Sequence, residues 1–284
     1  MPRPDRLAEA HDRLVAAIEH LVNGEEWRRF LDTARRFRSY SVNNLLLIFA
    51  QQPDATQVAG YRTWQSLGRQ VRRGESGIAI LAPCTYRRSD DADTDNDHTN
   101  GEPARVLHGF KVVHVFDVAQ TDGDALPSPP VQLLDGEDPQ HVTERLAAVI
   151  ADHGYTFTLG PMPVGRAGAN GVTTYDTRTV VVRDDLAPAQ QAKTTAHELA
   201  HVLLHSPDRG QRPDRAVCEI EAESVAYLVC GSHGLASDDY SFGYVATWAN
   251  GDTDTVRATS ERVITCAARI LDALGTGDQA EQAA

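Results

Sequence analysis

Paired cysteines and long apolar runs are both scarce in this chain, and each shortage removes a class of protein. The four cysteines, Cys84, Cys218, Cys230 and Cys266, are scattered without CxxC spacing. That disfavours a disulfide framework or a thiolate zinc site, and buried free thiols are expected instead. No apolar run approaches the roughly 20 residues needed to span a bilayer, and the opening MPRPDRLAEAHDRL lacks the apolar stretch of a signal peptide. A cytoplasmic protein with no membrane partner is therefore expected. No internal repeat is visible, which sets aside solenoids and propellers. At 284 residues the chain is long enough for two domains, each burying a core.

Net charge is −13, which argues at first against a nucleic-acid partner. The charge is unevenly placed, however. Residues 1–83 hold 12 arginines against 9 acids, about +3, whereas residues 84–284 hold 15 basic and 31 acidic residues, about −16. Local charge is what meets phosphate, and the asymmetry is itself a sign of two domains.

The most informative segment is Thr195-Ala196-His197-Glu198-Leu199-Ala200-His201-Val202-Leu203-Leu204-His205. Residues four apart on a helix share a face, so the imidazoles of His197 and His201 can reach one Zn²⁺. Glu198 then lies beside the open position, where its carboxylate can take a proton from the attacking water and pass it to a leaving amine. Pro188 can open this helix, and alanines and leucines carry it through without glycine. With 11 His and 14 Glu in the chain, random placement gives roughly 0.02 HExxH patterns, so a metal site is the better reading than a helix with incidental histidines. His205 is read as structural or as support for a ligand, because the longer three-histidine signature needs a glycine and a wider gap.

Two histidines leave a metal incomplete, and the stretch Cys218-Glu219-Ile220-Glu221-Ala222-Glu223-Ser224 offers the remainder. Helical spacing puts Glu219 and Glu223 on one face and Glu221 roughly opposite. Two carboxylates on a half-apolar face are costly without a cation. Glu219 is assigned as third ligand and Glu223 as the acceptor that orients a ligand imidazole; the reverse assignment stays open.

The helix HELAHVLLH followed by ExxAE resembles the zincin peptidases of the ImmA/IrrE type, and that resemblance implies Glu219 as third ligand. The strings SVNNLLLIFAQQPDATQVAGYRTWQSLGRQVRRGESGIAILAP, VFDVAQTDG and CEIEAESVAYLVCGSHGLASDDYSFGYVATWA resemble ArdC-type antirestriction proteins. The resemblance runs along almost the whole chain. It implies an N-terminal single-stranded-DNA-binding domain joined to a C-terminal zinc metallopeptidase-like domain. This chain departs from that pattern in an acidic insert and in basic side chains that are nearly all arginine.

Helical periodicity covers residues 5–23 and 25–38 and extends over Leu45 to Ala50, ended by Pro53. A strand near Val58 to Tyr61 and a helical turn around Trp64 to Leu67 follow. A hairpin is expected next, from Gln70-Val71 through RRGESG to Ile78–Leu81. Residues 87–105, RRSDDADTDNDHTNGEPAR, read as a disordered acidic insert between two strands. The strand Gly109 to Val118 completes the first domain. The resulting boundaries are 1–125 for the DNA-binding domain, 126–131 for a stiff linker, 132–275 for the metallopeptidase domain and 276–284 for a disordered tail. The second domain is expected to hold a helix near Val142 to Asp152, three strands and a core-packing last helix from Thr253 to Leu274. One strand, Gly171 to Tyr175 or Thr179 to Arg183, is the candidate edge that a substrate peptide would extend.

The DNA-contact set read from sequence is Tyr61, Arg62, Trp64, Arg69, Arg72 and Arg73, which would combine rings for base stacking with cations along the phosphates. Asn43 and Asn44 receive no functional role. Tyr227, His233, Tyr240 and Tyr244 lie in the right part of the chain to stabilise an oxyanion and are not ranked. The fold class is α+β, with a small α+β single-stranded-DNA-binding domain followed by a zincin-like domain of gluzincin type. The leading function is antirestriction or DNA protection by binding single-stranded DNA, with a DNA-associated protein as candidate peptidase substrate and Zn²⁺ as cofactor. The alternatives are a regulatory peptidase indifferent to DNA and a non-catalytic DNA-binding protein with structural zinc. No oligomeric state is assigned.

Overall fold

The computed structural model describes residues 6–21, 24–87, 105–124, 126, 141–166, 168–210, 213–235 and 252–275. Most of the acidic insert and of the linker, the C-terminal tail, and Tyr240 and Tyr244 lie outside the described residues. The fold is α+β, in two parts. Three helices open the chain: α1 (Arg6–His20), α2 (Gly24–Arg36) and α3 (Val42–Gln51). Each turns an apolar stripe inward, with Leu14, Ala17 and Ile18 from α1 and Trp27, Phe30, Leu31 and Ala34 from α2 all buried. In α3 four consecutive residues, Leu45 to Ile48, are completely buried. Four consecutive buried residues take in every side of a helical turn, and α3 accordingly touches α1, α2 and strand β3.

The first sheet has the order β1 (Val58–Gly60), β4 (Arg105–Asp117), β3 (Ile78–Arg87), all antiparallel. A short helix α4 (Tyr61–Ser66) follows β1, and β2 (Arg69–Val71) pairs with β5 (Thr121–Gly123). The expected hairpin from Gln70 to Leu81 is therefore corrected: β2 and β3 belong to different sheets, and the RRGESG turn connects them without pairing them. Local turn residues fixed the bend, but Arg69 opposite Gly123 and Ile78 opposite Val115 fix the partners. Strand β4 also starts at Arg105, earlier than the expected Gly109, so β3 and β4 stay in register to Arg87 opposite Arg105, at the two ends of the acidic insert.

Strand β3 is an edge, and α3 covers it with two side-chain amides. Asn44 Nδ2 donates to Leu81 O at 2.9 Å and Asn44 Oδ1 accepts from Leu81 N at 2.8 Å. Gln51 repeats this on Ala79, at 2.9 and 3.0 Å. Each amide supplies one donor and one acceptor, as a neighbouring strand would, and so satisfies an edge that would otherwise invite pairing with another chain.

The second part holds α5 (Val142–Asp152), the sheet β6 (Thr156–Leu159), β8 (Thr179–Val182), β7 (Gly171–Thr174) in that order, then α6 (Pro188–His205), α7 (Arg215–Ser232) and α8 (Thr253–Ala273). Strand β8 is central, parallel to β6 and antiparallel to β7, so β7 is an edge. The two parts share one continuous apolar core. Helix α2 packs on α7 through a buried hydrogen bond from Trp27 Nε1 to Ser224 Oγ at 2.9 Å and another from the Tyr227 hydroxyl to Asp32 Oδ1 at 2.6 Å. Arg35 stacks 5.8 Å above the Tyr227 ring, and a side chain at Gly231 would meet the Arg35 guanidinium at 2.5 Å. No helix among the described residues is long and apolar enough to cross a membrane.

Replacing Asn44 with leucine keeps the bulk but strands the Leu81 N–H and C=O. The expected outcome is a loss of about 1–3 kcal/mol, measured as a lower urea midpoint with an unchanged slope.

Candidate metal centre

Helix α6 begins with Pro188 in its first turn, where a missing N–H costs nothing, and runs unbroken to His205. His197, His201 and His205 thus form a row at one-turn spacing, with ring centroids 4.8 and 5.0 Å apart. Helix α7 packs alongside and brings its acids against this row. His197 Nε2 and His201 Nε2 stand 3.1 Å apart, and Glu219 Oε2 lies 3.4 Å from the first and 3.7 Å from the second. Ligands held about 2.0–2.1 Å from a tetrahedral ion are separated by about 3.3 Å, so these three donors fit a divalent metal with a position left open. Among the described residues this is the only group of three or more His, Cys, Asp or Glu side chains close enough to hold one.

Glu223 sits behind the donors, not among them. Its Oε2 lies 3.2 Å from His197 Nδ1 and its Oε1 takes an ion pair from Lys193 Nζ at 2.9 Å. Burial would push the Glu223 carboxyl up, but His197 and Lys193 together hold it below its ordinary value. The Glu219 carboxyl is held well below the carboxylate range by hydrogen bonds from His197 and then His201. His197 is pulled both ways. Burial lowers it, yet Glu219, Glu223 and Glu198 outweigh that and raise it from 6.5 to about 9. The same acids that favour a protonated imidazole would favour a metal cation beside it.

Glu198 faces the same cleft, a cavity of about 780 Å³ lined by β7, α6 and the first turns of α7. Thr173, on β7, donates its hydroxyl to Glu198 Oε2 at 2.7 Å. Gly171 leaves room for that carboxylate, since a Cβ there would stand 2.8 Å from Glu198 Oε1 and 2.6 Å from the Thr194 methyl. Of the two candidate edge strands, Gly171 to Thr174 is the edge and lines the cleft, while Thr179 to Val182 is interior to its sheet. The strand that holds Gly171 and Thr173 was expected as a candidate edge, but their contacts to Glu198 and the pairing of Lys193 with Glu223 leave no local mark in the sequence.

His205 lies beyond the donors, completely buried. Its Nδ1 is 2.8 Å from His201 Nδ1 and its Nε2 is 2.8 Å from Glu221 Oε2. Burial lowers its basicity, with the Glu221 hydrogen bond opposing. Two oxyanion candidates fall away from the cleft. The Tyr227 hydroxyl is turned to Asp32, and burial together with that carboxylate pushes it up to about 12. His233 is buried at the end of α7 with Nδ1 against Val229 O at 3.0 Å.

The DNA-contact set is brought together only in part. Trp64 is corrected: it is 2% exposed and its indole N–H donates to Phe116 O at 2.8 Å, so its ring packs in the fold and has no face for a base. Arg69 is wrapped by Thr121 Oγ1 at 2.8 Å, Thr121 O at 3.0 Å and the carbonyls of Gly123 and Asp124, holding β2 to β5. Arg72 pairs with Glu75 at 2.8 Å and lies 3.5 Å from Asp122. Tyr61, 43% exposed, stacks edge-on against Phe116, and Arg62 and Arg73 point to solvent. Phe110, 52% exposed on β4, is a free ring that the sequence reading missed.

Residues 5–116 match the family described as the N-terminal domain of anti-restriction factor ArdC, and residues 152–230 match the M78 peptidase family described as the IrrE N-terminal-like domain. An uncharacterized Bacillus anthracis protein, pXO2-81, is 21% identical over 276 residues, covering 87% of this chain and 47% of that protein. The uncharacterized protein y4eC of Sinorhizobium fredii is 36% identical over 99 residues, covering 33% of this chain and 32% of that protein. The chain thus spans about half the length, or less, of these curated relatives. The metal-free crystal structure of the antirestriction ArdC protein from the R388 plasmid superimposes with a TM-score of 0.53 at 22% identity, over 84% of this chain and 87% of that one. Its Mn(II)-bound form gives 0.57 at 18% identity, over 94% and 97%. At these identities the likeness is one of fold.

The metal-free protein should lose stability with rising pH through this site. His197 is raised above its ordinary 6.5, so its contribution is complete below about 6.5 and is lost as pH climbs through about 9. Metal binding must displace the same proton, so affinity should rise across that window by up to about tenfold per pH unit. Thermal melts in chelator and titrations of Zn²⁺ at several pH values would read the two opposite slopes.

Proposed function

With the two-domain ArdC architecture as premise, we propose an antirestriction protein that binds single-stranded DNA through its N-terminal half and hydrolyses peptide bonds of a DNA-associated protein through a Zn²⁺ site in its C-terminal half. The observation that carries the enzymatic part is the convergence of His197, His201 and Glu219 beside a carboxylate, Glu198, held by an edge strand. A divalent metal held by those three side chains would polarise a scissile carbonyl and make water nucleophilic at neutral pH. Glu198 serves as general base and then acid, taking the proton from water and delivering it to the leaving nitrogen. Thr173 keeps Glu198 pointed into the cleft, and Glu223 keeps the His197 ring in place through Nδ1. The free side of β7 receives the substrate as an added strand, which lays the peptide along the cleft. The Mn(II)-bound ArdC structure makes Mn²⁺ the ion to compare with Zn²⁺.

We place the domain limits at 1–125 and 132–275, and the protein in the cytoplasm. For DNA, Tyr61, Arg62 and Arg73 carry the proposal together with Phe110, while Arg69 and Arg72 contribute their charge from fixed positions. One observation favours a second reading, a regulatory peptidase that acts without DNA: much of the DNA set, Trp64, Arg69 and Arg72, is committed to holding the fold.

Glu198→Gln should abolish peptide hydrolysis, losing at least about 10²-fold, while Zn²⁺ affinity changes little; Thr173→Val should lower kcat with KM nearly unchanged. Loss of metal binding in Glu198→Gln, or retention of full hydrolysis, would count against the assigned role. Binding of a fluorescent oligonucleotide across a salt series, comparing Arg62→Ala/Arg73→Ala with wild type, tests the other half. A single-strand preference with a salt slope reduced by about 1–2 in the variant is expected. No binding at low salt would favour the DNA-independent peptidase.

A further inference from the structure

The third acid of α7 does not face the cleft. Glu221 is turned into the core, with no exposed surface, and its Oε2 accepts from His205 Nε2 at 2.8 Å. Arg262, reaching in from α8, places Nε 3.0 Å from Glu221 Oε1, an ion pair whose N–H is not aimed along the contact, and donates Nη2 to Leu204 O at 3.3 Å. A leucine at 221 would fill this position without the cost of burying a charge. The acid instead lies at one end of a line of side chains, Glu221, His205, His201, that ends among the metal donors.

We propose that Glu221 and His205 are positioning residues for His201: acting in series through the core, they fix its proton on Nδ1 and leave a bare Nε2 turned toward the metal. The proposal rests on the metal reading above and extends it to residues outside the HExxH and ExxAE motifs. A carboxylate paired with Arg262 can only accept, so the His205 Nε2 facing it carries the hydrogen. A neutral imidazole has one hydrogen, and burial with no exposed surface disfavours the charged form of His205. Its Nδ1 is therefore bare and must accept from His201 Nδ1 at 2.8 Å. His201 then has no hydrogen left for Nε2, the atom that stands 3.1 Å from His197 Nε2 and 3.7 Å from Glu219. Reversing any proton in the line puts two hydrogens or two lone pairs face to face inside the core. His197 gets its orientation directly from Glu223, so the two ligands are set by different acids on opposite faces of α7. An imidazole is interposed for His201 because the carboxylate that serves it lies a full ring away.

The test uses the full chain and Zn²⁺ titrated against a chromophoric chelator, with His205→Phe, Glu221→Leu, Glu221→Gln and the apolar triple variant His205→Phe/Glu221→Leu/Arg262→Met, which removes the buried charges together so that the core can still pack. Wild type should bind Zn²⁺, and the Phe, Leu and triple variants should bind about 10- to 100-fold more weakly, the triple with a melting temperature close to wild type. Glu221→Gln, which keeps an acceptor, should stay near wild type, a rescue that packing alone does not explain. Long-range ¹H–¹⁵N spectra of the metal-free wild type should place the His201 proton on Nδ1 and the His205 proton on Nε2, and this needs no variant to fold. A folded triple variant that binds as tightly as wild type, or a His201 proton on Nε2, overturns the positioning role and leaves the metal site standing. Wild type that binds no Zn²⁺ overturns the metal reading and the relay with it.

Discussion

Imidazoles and carboxylates can be buried between two helices only if charge and hydrogen are matched partner by partner, and the seam between α6 and α7 is built under that constraint. Three histidines rise along α6 at intervals of four. Three glutamates stand on α7 at intervals of two, and each finds an imidazole: Glu219 at the donor end of His197 and His201, Glu223 behind His197, Glu221 behind His205. Without Glu221, His205, which has no exposed surface, becomes an orphan where water cannot compensate, whereas half-exposed Glu219 opens onto the cleft. The edge strand β7 adds the last member by tying Glu198 to Thr173, which couples the sheet to the helix pair.

The other faces of α7 carry the rest of the molecule. Helix α2 lies against it through Trp27 and Ser224 and through Asp32 and Tyr227, so Glu219 and Glu223 stand on the same helix that the N-terminal helices pack against. The apolar core runs across this contact without a break. Two sequence families meet in one chain, yet the packing gives them a common interior, and α7 is the element that both depend on.

The convergence of His197, His201 and Glu219 was legible in the sequence because helices are periodic: the turn of α6 is written in the spacing His197, His201, and the acids of α7 follow the same rule. The separation of Glu221 from Glu219 and Glu223 followed from that periodicity too, though not its partner, since long-range pairing leaves no local trace. The aromatic and arginine cluster was less legible. Trp64 carries both a large apolar ring and an N–H, and whether it is core or contact depends on a carbonyl 52 residues away. Arg69 and Arg72 read as free cations until Thr121, Asp124 and Glu75 are placed around them. The expected hairpin failed for the same reason: turn residues mark where a chain bends, whereas the strand that β2 joins is decided by β5, some fifty residues on. Asn44 and Gln51 lie between these extremes, amides whose helical spacing fits a shared face but whose use as a surrogate strand needs the edge of β3 beside them.

The register that holds Arg87 opposite Arg105 has a practical consequence. Paired strands end within about 5 Å of each other, so whatever joins them leaves and returns through a narrow, fixed mouth far along the chain from the α6–α7 seam. Lengthening such a connection adds only about 0.6 kcal/mol for each doubling. The pairing of β3 with β4 therefore tolerates joining segments of many lengths. For the same reason, this is a natural point at which to splice a fluorescent reporter into the chain.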